Sequence, residues 1–448
     1  MSIYAQLWFD TEDFITPESD DALYLLLVML KEKNIPATIK LVAEKARMLE
    51  RRSRYDIIGL LKSCDNIEIG YHTDTHSIHP TISEYCELMG FSEGYAAFYA
   101  RENPGRLDVE RITGKKCVCY GQPGNSWSPQ AFPALMDMDI PVYMDCHDVI
   151  GGRHGVPYRF GGLLNYLNVP YFRMELSPDY QKNITKAREE FKTQFEGKNA
   201  PRFINIFYHP CEFSCTEFYD LNFAEGKNPP REHWKPAKLR PSEEMRGLVK
   251  NLGEFLDFLL EQNVKIISVS ELILMLKPED CEIPEDMMNE IIEKASSGLV
   301  DYLKYGNYSV SAVESLSLLA RKTLNRPLIC SFAFGPERDF KSTSKNPQKI
   351  NPALLAGIVC GFFDNNTAKP AVLPDYFEVS GEKISPLDTA VLLAQSIGGE
   401  YKDTKNILCP AELVTKNEDW SGWIIHKPGF KVHNILELAK LQMWTFKF

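Results

Sequence analysis

Two histidines four residues apart, His72 and His76, are the most informative residues of this chain. They follow a short apolar run that is typical of a strand leading into a turn, and a helical turn there would bring the two side chains together. Two neutral imidazoles so placed form half of a site for a divalent metal ion. Alone, the spacing fits two ordinary polar loop residues as well. What favours the metal site is a cluster of acidic residues after a predicted first strand, Asp10, Glu12 and Asp13.

Strands and helices alternate along residues 1–275, and this alternation predicts an α/β fold with a parallel sheet or barrel. The predicted strands cover residues 3–9, 37–42, 67–71, 118–120, 142–144, 203–208 and 265–268. The clearest helices cover residues 19–34, with Ser19 as the cap, 55–63 and 248–262.

Polar residues stand at the ends of several of these predicted strands. In parallel α/β folds the carboxyl ends of the strands meet on one side of the sheet, where ligands bind. Residues of this kind follow five different strands and are expected to meet there: Asp10, His72, Gln122, Asp145 and His209. The pattern therefore predicts one site built from distant parts of the chain.

The composition disfavours two classes of partner. The chain has 448 residues with 50 basic and 61 acidic side chains, and its net charge of −11 disfavours binding to a nucleic-acid backbone. Its most apolar stretches, residues 22–30 and 354–363, are shorter than the roughly 18 residues that span a bilayer.

No signal peptide is visible, which predicts a cytoplasmic protein if the chain is complete, and an envelope or extracellular protein if a leader has been removed. The cysteines lack the spacing of a disulfide framework and are expected to be reduced thiols.

Several short motifs, taken in their order along the chain, carry a resemblance to a known family. The matching segments are FDTED at 9–13, IPAT at 35–38, HTDTH at 72–76, QPG at 122–124, DCHD at 145–148, FYHP at 207–210 and KIISVSEL at 265–272. Through them, residues 1–275 resemble the NodB-type polysaccharide deacetylases, a carbohydrate esterase family 4-like group. The resemblance implies a distorted (β/α) barrel and a metal-dependent hydrolase that removes an N-acetyl group from a carbohydrate. An N-acetylated sugar is then the expected partner.

The resemblance also implies a catalytic pair. Asp10 is the expected general base, which takes a proton from water, and His209 is the expected general acid, which protonates the departing amine. A histidine suits the second role because its pKa lies near working pH.

For the metal, the expected ligands are His72, His76 and one carboxylate. The family's first motif has two adjacent aspartates, whereas this chain has the run Asp10-Thr11-Glu12-Asp13, so the carboxylate is ambiguous. Asp13 is favoured and Glu12 is the alternative. Two histidines and one carboxylate suit Zn best, while Ni, Co, Mn or Fe would also fit.

The chain departs from the family pattern in its third and fourth motifs. The family has an arginine that braces the base, whereas this chain has Gln122. An arginine from elsewhere is a candidate replacement: Arg159, Arg173 or Arg202. The fourth motif offers Asp145 and Asp148, and Asp148 is either a residue that orients His209 or an ordinary loop residue.

Residues in and near these motifs are expected to touch the substrate: Gln122, Pro123, Gly124, Trp127, Asp145 and Asp148. Trp127 is a candidate platform for a sugar ring, and a core position is its alternative. His147 and His154 are weaker candidates for substrate contact. The polar and aromatic segment 218–235 follows His209 and is expected to form a lid or a substrate wall.

Residues 276–448 are expected to form a second, mainly helical domain after a linker. This part contains a weak internal repeat, in which Ser311 and Ser385 each begin an apolar helix. Residues 341–349 are expected to be an exposed loop between the two units. Residues 373–385 resemble the core of pseudomurein-binding-type repeats, which implies glycan binding, and a structural cap or a dimerisation domain is the alternative.

Two other functions fit the same sequence. One is a C–N hydrolase that acts on a non-sugar amide, because related barrels are reused for such chemistry. The other is a non-catalytic carbohydrate- or cell-wall-binding protein, which the Gln122 departure favours and the retained Asp10 and His209 disfavour. The sequence sets neither the identity of the sugar nor the oligomeric state.

Overall fold

Strands and helices alternate in the first part of the structure, a computed structural model that describes residues 2–145, 149–152, 155–195, 197, 200–277, 282–306 and 308–448. The strands of this part are β1 (Ile3–Thr11), β2 (Ala37–Leu41), β3 (Ile67–Tyr71), β4 (Cys117–Tyr120), β5 (Val142–Tyr143), β6 (Tyr158–Phe160), β7 (Leu163–Asn165), β8 (Phe203–Tyr208) and β9 (Val264–Ile266). Its helices are α1 (Glu18–Lys33), α2 (Ala43–Arg51), α3 (Tyr55–Ser63), α4 (Ile82–Cys86), α5 (Phe91–Thr113), α6 (Ala131–Asp137), α7 (Tyr180–Phe195), α8 (Pro210–Ser214), α9 (Ser242–Glu261) and α10 (Val269–Met275). Short 3₁₀ helices cover Tyr219–Gly226 and Arg231–His233.

These strands form one sheet in the order β6-β7-β5-β4-β3-β2-β1-β8, and β9 pairs with the first residues of β1. The pairs are parallel except for β6 with β7. The predicted α/β class with a parallel sheet is therefore confirmed. Among the described residues, no pairing joins β6 to β8, and closure of the sheet into a barrel stays a prediction.

Strand β1 separates two hydrophobic layers, because successive side chains of a strand point to opposite faces. Leu7 and Phe9 pack into the large core under the helices. Trp8 packs into a second cluster on the other face of the sheet, and Asp10 follows it two residues later. Asp10 therefore stands on the same face of the sheet as Trp8, opposite the large core.

Helix α1 begins one residue before the predicted position, and its predicted cap is wrong. Pro17 takes the N-cap position, while Ser19 lies inside the first turn. The Ser19 hydroxyl donates to the carbonyls of Asp13 and Thr16 at 3.0 and 2.7 Å. Its role is to hold the loop after β1 against the helix.

The rest of the chain contains helices and small two-stranded sheets. Its helices are α11 (Glu285–Ser296), α12 (Ala312–Thr323), α13 (Pro352–Asn365), α14 (Pro386–Gly398) and α15 (Asn434–Gln442). Its strands are β10 (Leu299–Val300), β11 (Leu303–Tyr305), β12 (Tyr308–Val310), β13 (Phe377–Val379), β14 (Glu382–Ile384) and β15 (Ile407–Leu408). Two further 3₁₀ helices cover Cys409–Leu413 and Met443–Thr445.

The internal repeat predicted from the sequence has a structural counterpart. The hairpin β11–β12 precedes α12, and the hairpin β13–β14 precedes α14. The hydroxyls of Ser311 and Ser385 accept hydrogen bonds from the backbone amides three residues later, so both serines cap their helices as expected. The two helices lie in one hydrophobic core of the second part.

The last segment of the chain returns to the first part. Buried apolar side chains from residues 414–446 belong to the large core that also contains side chains of β1 and α1. Among them are Trp420, Val432 and Ile435. The division at residue 276 stays a prediction, and these contacts join the C-terminal segment to the α/β part. None of the described helices is both long and apolar enough to cross a membrane.

Candidate metal centre and active site

The polar residues at the strand ends meet at one edge of the sheet. Asp10 is the penultimate residue of β1, and Glu12 follows that strand. His72 follows β3 and His209 follows β8. Strand β1 pairs with β8 on one side and with β2 on the other, and β2 pairs with β3. The parallel order therefore brings these residues to the same place.

A carboxylate and two imidazoles converge beside this edge. Glu12 Oε2 lies 2.9 Å from His76 Nε2 and 3.4 Å from His72 Nε2. The three side chains are buried, and their donor atoms lie within 4.8 Å of one another. Three donors about 2.1 Å from one tetrahedral zinc ion would lie about 3.4 Å apart. The spacing therefore fits a divalent metal ion.

Hydrogen bonds orient both histidines toward this centre. His72 Nδ1 lies 2.9 Å from the carbonyl of Gly121, so Nδ1 carries the proton and Nε2 keeps its lone pair. His76 Nδ1 lies 2.8 Å from the Ser77 hydroxyl, which contacts the Tyr219 hydroxyl at 3.4 Å. A neutral imidazole with a free Nε2 is the form that binds metal.

The two histidines converge although the loop between them is not a helical turn. Thr73 and His76 adopt left-handed backbone conformations, with φ of 69° and 53°. The His76 amide donates to the Thr73 hydroxyl at 3.0 Å, which closes the turn. The Glu102 carboxylate, on helix α5, accepts hydrogen bonds from the Asp74 amide at 2.8 Å and the Tyr71 hydroxyl at 2.6 Å. These bonds, rather than a helix, hold the two rings 4.9 Å apart.

The structure favours Glu12 over Asp13 as the metal carboxylate, the reverse of the order expected from the sequence. Asp13 Oδ1 accepts the backbone amides of Ile15 and Thr16 at 2.9 and 2.8 Å, so Asp13 closes the turn after β1. Burial raises the pKa of Asp13. Burial acts in the same direction on Glu12, but the facing ring of His76, the neighbouring histidines and their hydrogen bonds hold its pKa well below the usual range. Glu12 is therefore the ionised carboxylate beside the histidines.

A buried lysine braces the predicted base. Lys40 Nζ lies 2.8 Å from Asp10 Oδ1 and 3.4 Å from Asp145 Oδ2. It also donates to the carbonyl of Met144 at 3.1 Å. Burial would raise the pKa of Asp10, but Lys40 and the neighbouring histidines lower it, so Asp10 is ionised. The indole Nε1–H of Trp8 donates to Asp10 Oδ2 at 3.3 Å and fixes the other oxygen.

The sheet leaves room for this lysine at two glycines. In the ladder Asp10 pairs with Lys40, and Lys40 pairs with Gly70 on β3. A Cβ on Gly70 would lie 2.7 Å from Lys40 Cγ, closer than side-chain atoms pack. Gly121 likewise leaves no space for a side chain beside Lys40 Nζ. The glycines therefore allow a long cation to lie flat across the end of the sheet.

Lys40 occupies the place that the sequence assigned to an arginine. Gln122 does not brace Asp10, because its amide donates instead to the carbonyl of Gly124 at 3.2 Å. The guanidinium of Arg159 donates to the carbonyl of Leu276, and that of Arg202 packs over aromatic rings at the other end of β8. Sequence reasoning missed Lys40, although one signal was present. That signal is a lysine inside the mostly apolar run 37–42, and the structure places it directly across the sheet from Gly70.

His209 is held by a chain of charged residues. Its Nδ1 lies 3.0 Å from Glu212, and both carboxylate oxygens of Glu212 accept hydrogen bonds from Arg173 Nη2 at 2.8 Å. His209 Nε2 then lies 3.9 Å from Asp10 Oδ2 and 4.0 Å from Glu12 Oε2. Burial would lower the pKa of His209, but the surrounding carboxylates raise it to about 9. Burial likewise opposes ionisation of Glu212, yet His209 and Arg173 lower its pKa to about 2.

In the structure Glu212 orients His209, a role that was one of two readings of Asp148 in the sequence. The motif HPCE at 209–212 is also a helix start, in which the His209 amide donates to Glu212 at 2.8 Å. This three-residue spacing was the available signal for Glu212. Asp148, His147 and His154 lie outside the described residues. Arg173, considered as a brace for Asp10, acts on Glu212 instead.

Trp127 is a core residue and cannot stack on a substrate, contrary to the expectation from sequence. Its side chain is fully buried, with an exposed fraction of 0%. The indole packs against the rings of Phe132 and Phe160 at 5.9 and 6.1 Å.

Gly124 and its neighbour Asn125 are exposed at the rim of the site, and the Asp145 side chain is 18% exposed.

The segment 218–235 lies against the site, as expected for a wall. The Phe218 ring meets the His209 ring edge-on at 5.1 Å. Tyr219 is buried beside Phe14, at 5.1 Å, and its hydroxyl contacts that of Ser77, the partner of His76. A cavity of about 460 Å³ lies next to Phe218 and Glu212.

One contact comes from the far end of the chain and had no signal in the sequence. The ring of Trp423 meets the ring of the candidate metal ligand His76 edge-on at 5.7 Å. The same indole packs on Gly124, where a Cβ would collide with it. The C-terminal segment therefore reaches the edge of the candidate metal centre.

The chain is similar in structure to carbohydrate esterase family 4 (CE4) deacetylases, although no protein-family model and no curated protein sequence matches it. A CE4 family pseudoenzyme from Bacillus anthracis matches with 13% identity and a TM-score of 0.33, over 61% of this chain and 66% of that one. A family 4 acetyl xylan esterase from Clostridium thermocellum in complex with a cobalt ion matches with 12% identity and a TM-score of 0.30, over 61% and 91%. The peptidoglycan deacetylase PdaC from Bacillus subtilis matches with 13% identity and a TM-score of 0.31, over 62% and 92%.

Proposed function

We propose that this protein is a metal-dependent hydrolase that removes an N-acetyl group from a carbohydrate. The observation that carries the proposal is the convergence of Glu12, His72 and His76 on one point beside Asp10 and His209. Hydrolysis of an acetamide requires metal ligands, a general base and a general acid. At this sheet edge three side chains can serve as ligands, an ionised carboxylate can serve as the base and a histidine can serve as the acid.

The donor set fits a resident divalent cation. Glu12, His72 and His76 would hold it, and Zn suits two imidazoles and one carboxylate best. When bound, such an ion polarises the acetamide carbonyl and acidifies a water molecule. The buried Glu12 carboxylate faces two Nε2 atoms, an arrangement that a cation shared by the three residues explains.

Asp10 is placed to take the proton of the attacking water. It is ionised because Lys40 lies 2.8 Å from one oxygen, and that lysine keeps its own charge because its pKa is raised by the two aspartates despite burial. Trp8 fixes the second oxygen, which faces His209. A carboxylate held in this way keeps a single orientation during the reaction.

His209 is placed to protonate the departing amine. Its Nδ1 is bonded to Glu212, so its Nε2–H faces Asp10 and Glu12 across the reaction site. The base and the acid then stand on the same side of the sheet with a gap of 3.9 Å between their nearest atoms. Substrate would enter from the side of His209, whose side chain is 18% exposed, since the metal-site residues are buried.

The carbohydrate part of the proposal is supported by the order of motifs along residues 1–275. The non-catalytic alternative drew its support from Gln122, and Lys40 removes that support because it supplies the missing cation. A C–N hydrolase acting on a non-sugar amide would use the same residues. Screening of substrates separates these two readings.

The experiment that tests the proposal is release of acetate from N-acetylglucosamine oligomers by the zinc-loaded protein. We expect chelator-sensitive release, and we expect Asp10→Asn to reduce kcat about 10²- to 10⁴-fold while zinc content stays the same. Leu88→Ala, a change at a side chain that is 83% exposed, serves as the control and should keep the full rate. Acetate release by Asp10→Asn at the rate of the unaltered protein would refute the assignment of the base.

A further inference from the structure

The C-terminal segment 419–431 lies across the rim of the candidate active site. A bridge between Asp419 and Lys431 closes it into a loop. Trp423 stands at its tip, between the imidazoles of His76 at 5.7 Å and His426 at 5.0 Å. Both contacts are edge-on, with interplanar angles of 87° and 80°. The indole is therefore fixed on two sides by perpendicular rings.

Backbone hydrogen bonds anchor this loop to the wall that follows His209. The amides of Glu225 and Gly226 donate to the carbonyls of Ile424 and Ile425 at 3.0 and 2.8 Å. The Ile425 side chain is buried in the cluster that contains Phe14 and Tyr219. The loop and the wall of the site are thus one packed unit.

A buried histidine holds the other side of the loop. His426 Nδ1 lies 2.8 Å from the carbonyl of Trp420, and its Nε2 lies 3.3 Å from the Ser83 hydroxyl. Burial lowers the pKa of His426, so the ring is neutral and can accept at one nitrogen. These contacts bind the last part of the chain to helix α4, next to the loop that carries His76.

The indole of Trp423 is only partly buried, unlike the fully buried Trp127. Among the described residues, its Nε1–H makes no hydrogen bond. Beneath it, Gly124 has a left-handed φ of 46°, and the absence of a side chain there lets the ring lie directly on the loop 122–124. An apolar ring face with a free polar edge, next to a metal-site histidine, is a suitable platform for a sugar ring.

We propose that Trp423 is a substrate-contacting residue on which a sugar ring next to the scissile acetamide stacks, so that the C-terminal segment completes the active site. This inference rests on the proposed deacetylase function and adds the residue that selects an oligosaccharide over a small acetylated compound. It also assigns a role to the return of the chain onto its α/β part, which otherwise only adds packing.

The test compares Trp423→Ala with Ile424→Ala, whose side chain is 49% exposed in the same loop. The substrates are the tetramer of N-acetylglucosamine and 4-nitrophenyl acetate, which has no sugar ring. We expect Trp423→Ala to raise KM for the tetramer at least tenfold and to leave kcat/KM for the small ester within twofold. Trp423→Phe should recover part of the loss, and Ile424→Ala should behave as the unaltered protein.

Binding to metal-free protein provides a second readout that does not depend on turnover. By isothermal titration calorimetry, Trp423→Ala should bind the tetramer at least tenfold more weakly than Ile424→Ala. If the unaltered protein is active and Trp423→Ala keeps both its KM and its affinity, the inference fails and the proposed function stands. A higher kcat/KM for the tetramer in Trp423→Ala would identify the loop as a cover and overturn the inference. If the unaltered protein neither binds the tetramer nor releases acetate, the proposed function fails, and the inference fails with it.

Discussion

Replacement of Lys40 by methionine is the most informative single change, because this lysine joins the base to the rest of the site. Methionine keeps the length and the apolar stem of the side chain and removes the charge. In the structure Lys40 Nζ is fully buried and contacts Asp10 at 2.8 Å and Asp145 at 3.4 Å. The change therefore leaves two carboxylates without their shared cation.

The size of the effect follows from these distances. At an effective dielectric constant of about 20, two unit charges 2.8 Å apart attract by about 6 kcal/mol. Desolvation of the ions offsets part of this energy, and removal of one partner of a buried pair costs about 3–5 kcal/mol of stability. Because about 1.4 kcal/mol corresponds to a tenfold change in rate, a base that loses its orientation should lower kcat by roughly 100-fold or more.

The assay measures kcat, KM and zinc content of Lys40→Met at a temperature where the protein stays folded. We expect kcat to fall while KM and zinc content remain those of the unaltered protein, because Lys40 contacts no metal-site donor. Lys45→Met is the matched control. Lys45 is equally buried, pairs with Asp20 at 2.5 Å and donates to the Asp13 carbonyl at 2.6 Å, but it does not contact Asp10, so its loss should cost similar stability and reduce kcat far less. Equal kcat values for the two variants would refute the role given to Lys40.

Three further predictions concern single carboxylates. Glu12→Gln should weaken zinc binding at least 100-fold, whereas Asp13→Asn should change it only severalfold, as measured by competition with a chelator. Glu212→Gln should reduce kcat about 10²-fold at unchanged zinc content, because the imidazole of the general acid loses its orienting partner. Burial raises the pKa of Glu102 to about 7, so the folded protein binds one more proton than the unfolded chain between pH 4.5 and 7, and the free energy of unfolding falls by about 3 kcal/mol as pH rises through that range. Glu102→Gln should remove this decline, which urea unfolding at pH 5 and pH 7.5 would detect. An equal loss of unfolding free energy between the two pH values in both proteins would contradict the assignment.

Much of the α/β part could be predicted from the sequence, because strand and helix periodicity is a local property. Strands β3 and β8 begin and end where predicted, and β1 runs two residues further than expected. The ends of parallel strands then follow from topology, which is why Asp10, His72 and His209 could be placed at one edge. The extension of β1 through Thr11 puts Asp10 inside the strand, in register with Lys40.

The errors at the site arose where a side chain's role depends on a neighbour from another part of the chain. Spacing alone could not distinguish Glu12 from Asp13, since the answer depends on which of the two caps the following turn. Trp127 was a candidate for stacking because aromatic residues suit both cores and sugar sites, and only its burial separates the two roles. Trp423 is nearly 350 residues away from His76 along the chain, and no local pattern connects them.

The measurement that tests the central claim most directly is the metal content of the purified protein, compared with that of His72→Ala/His76→Ala. Elemental analysis after loading with zinc and removal of excess should give about one ion per chain, because the described residues form one three-donor centre, at Glu12, His72 and His76. The double variant should contain no bound ion and should release no acetate, while circular dichroism reports the same fold. Equal metal content in the two proteins, or no metal in either after loading, would contradict the claim that these residues form a metal centre.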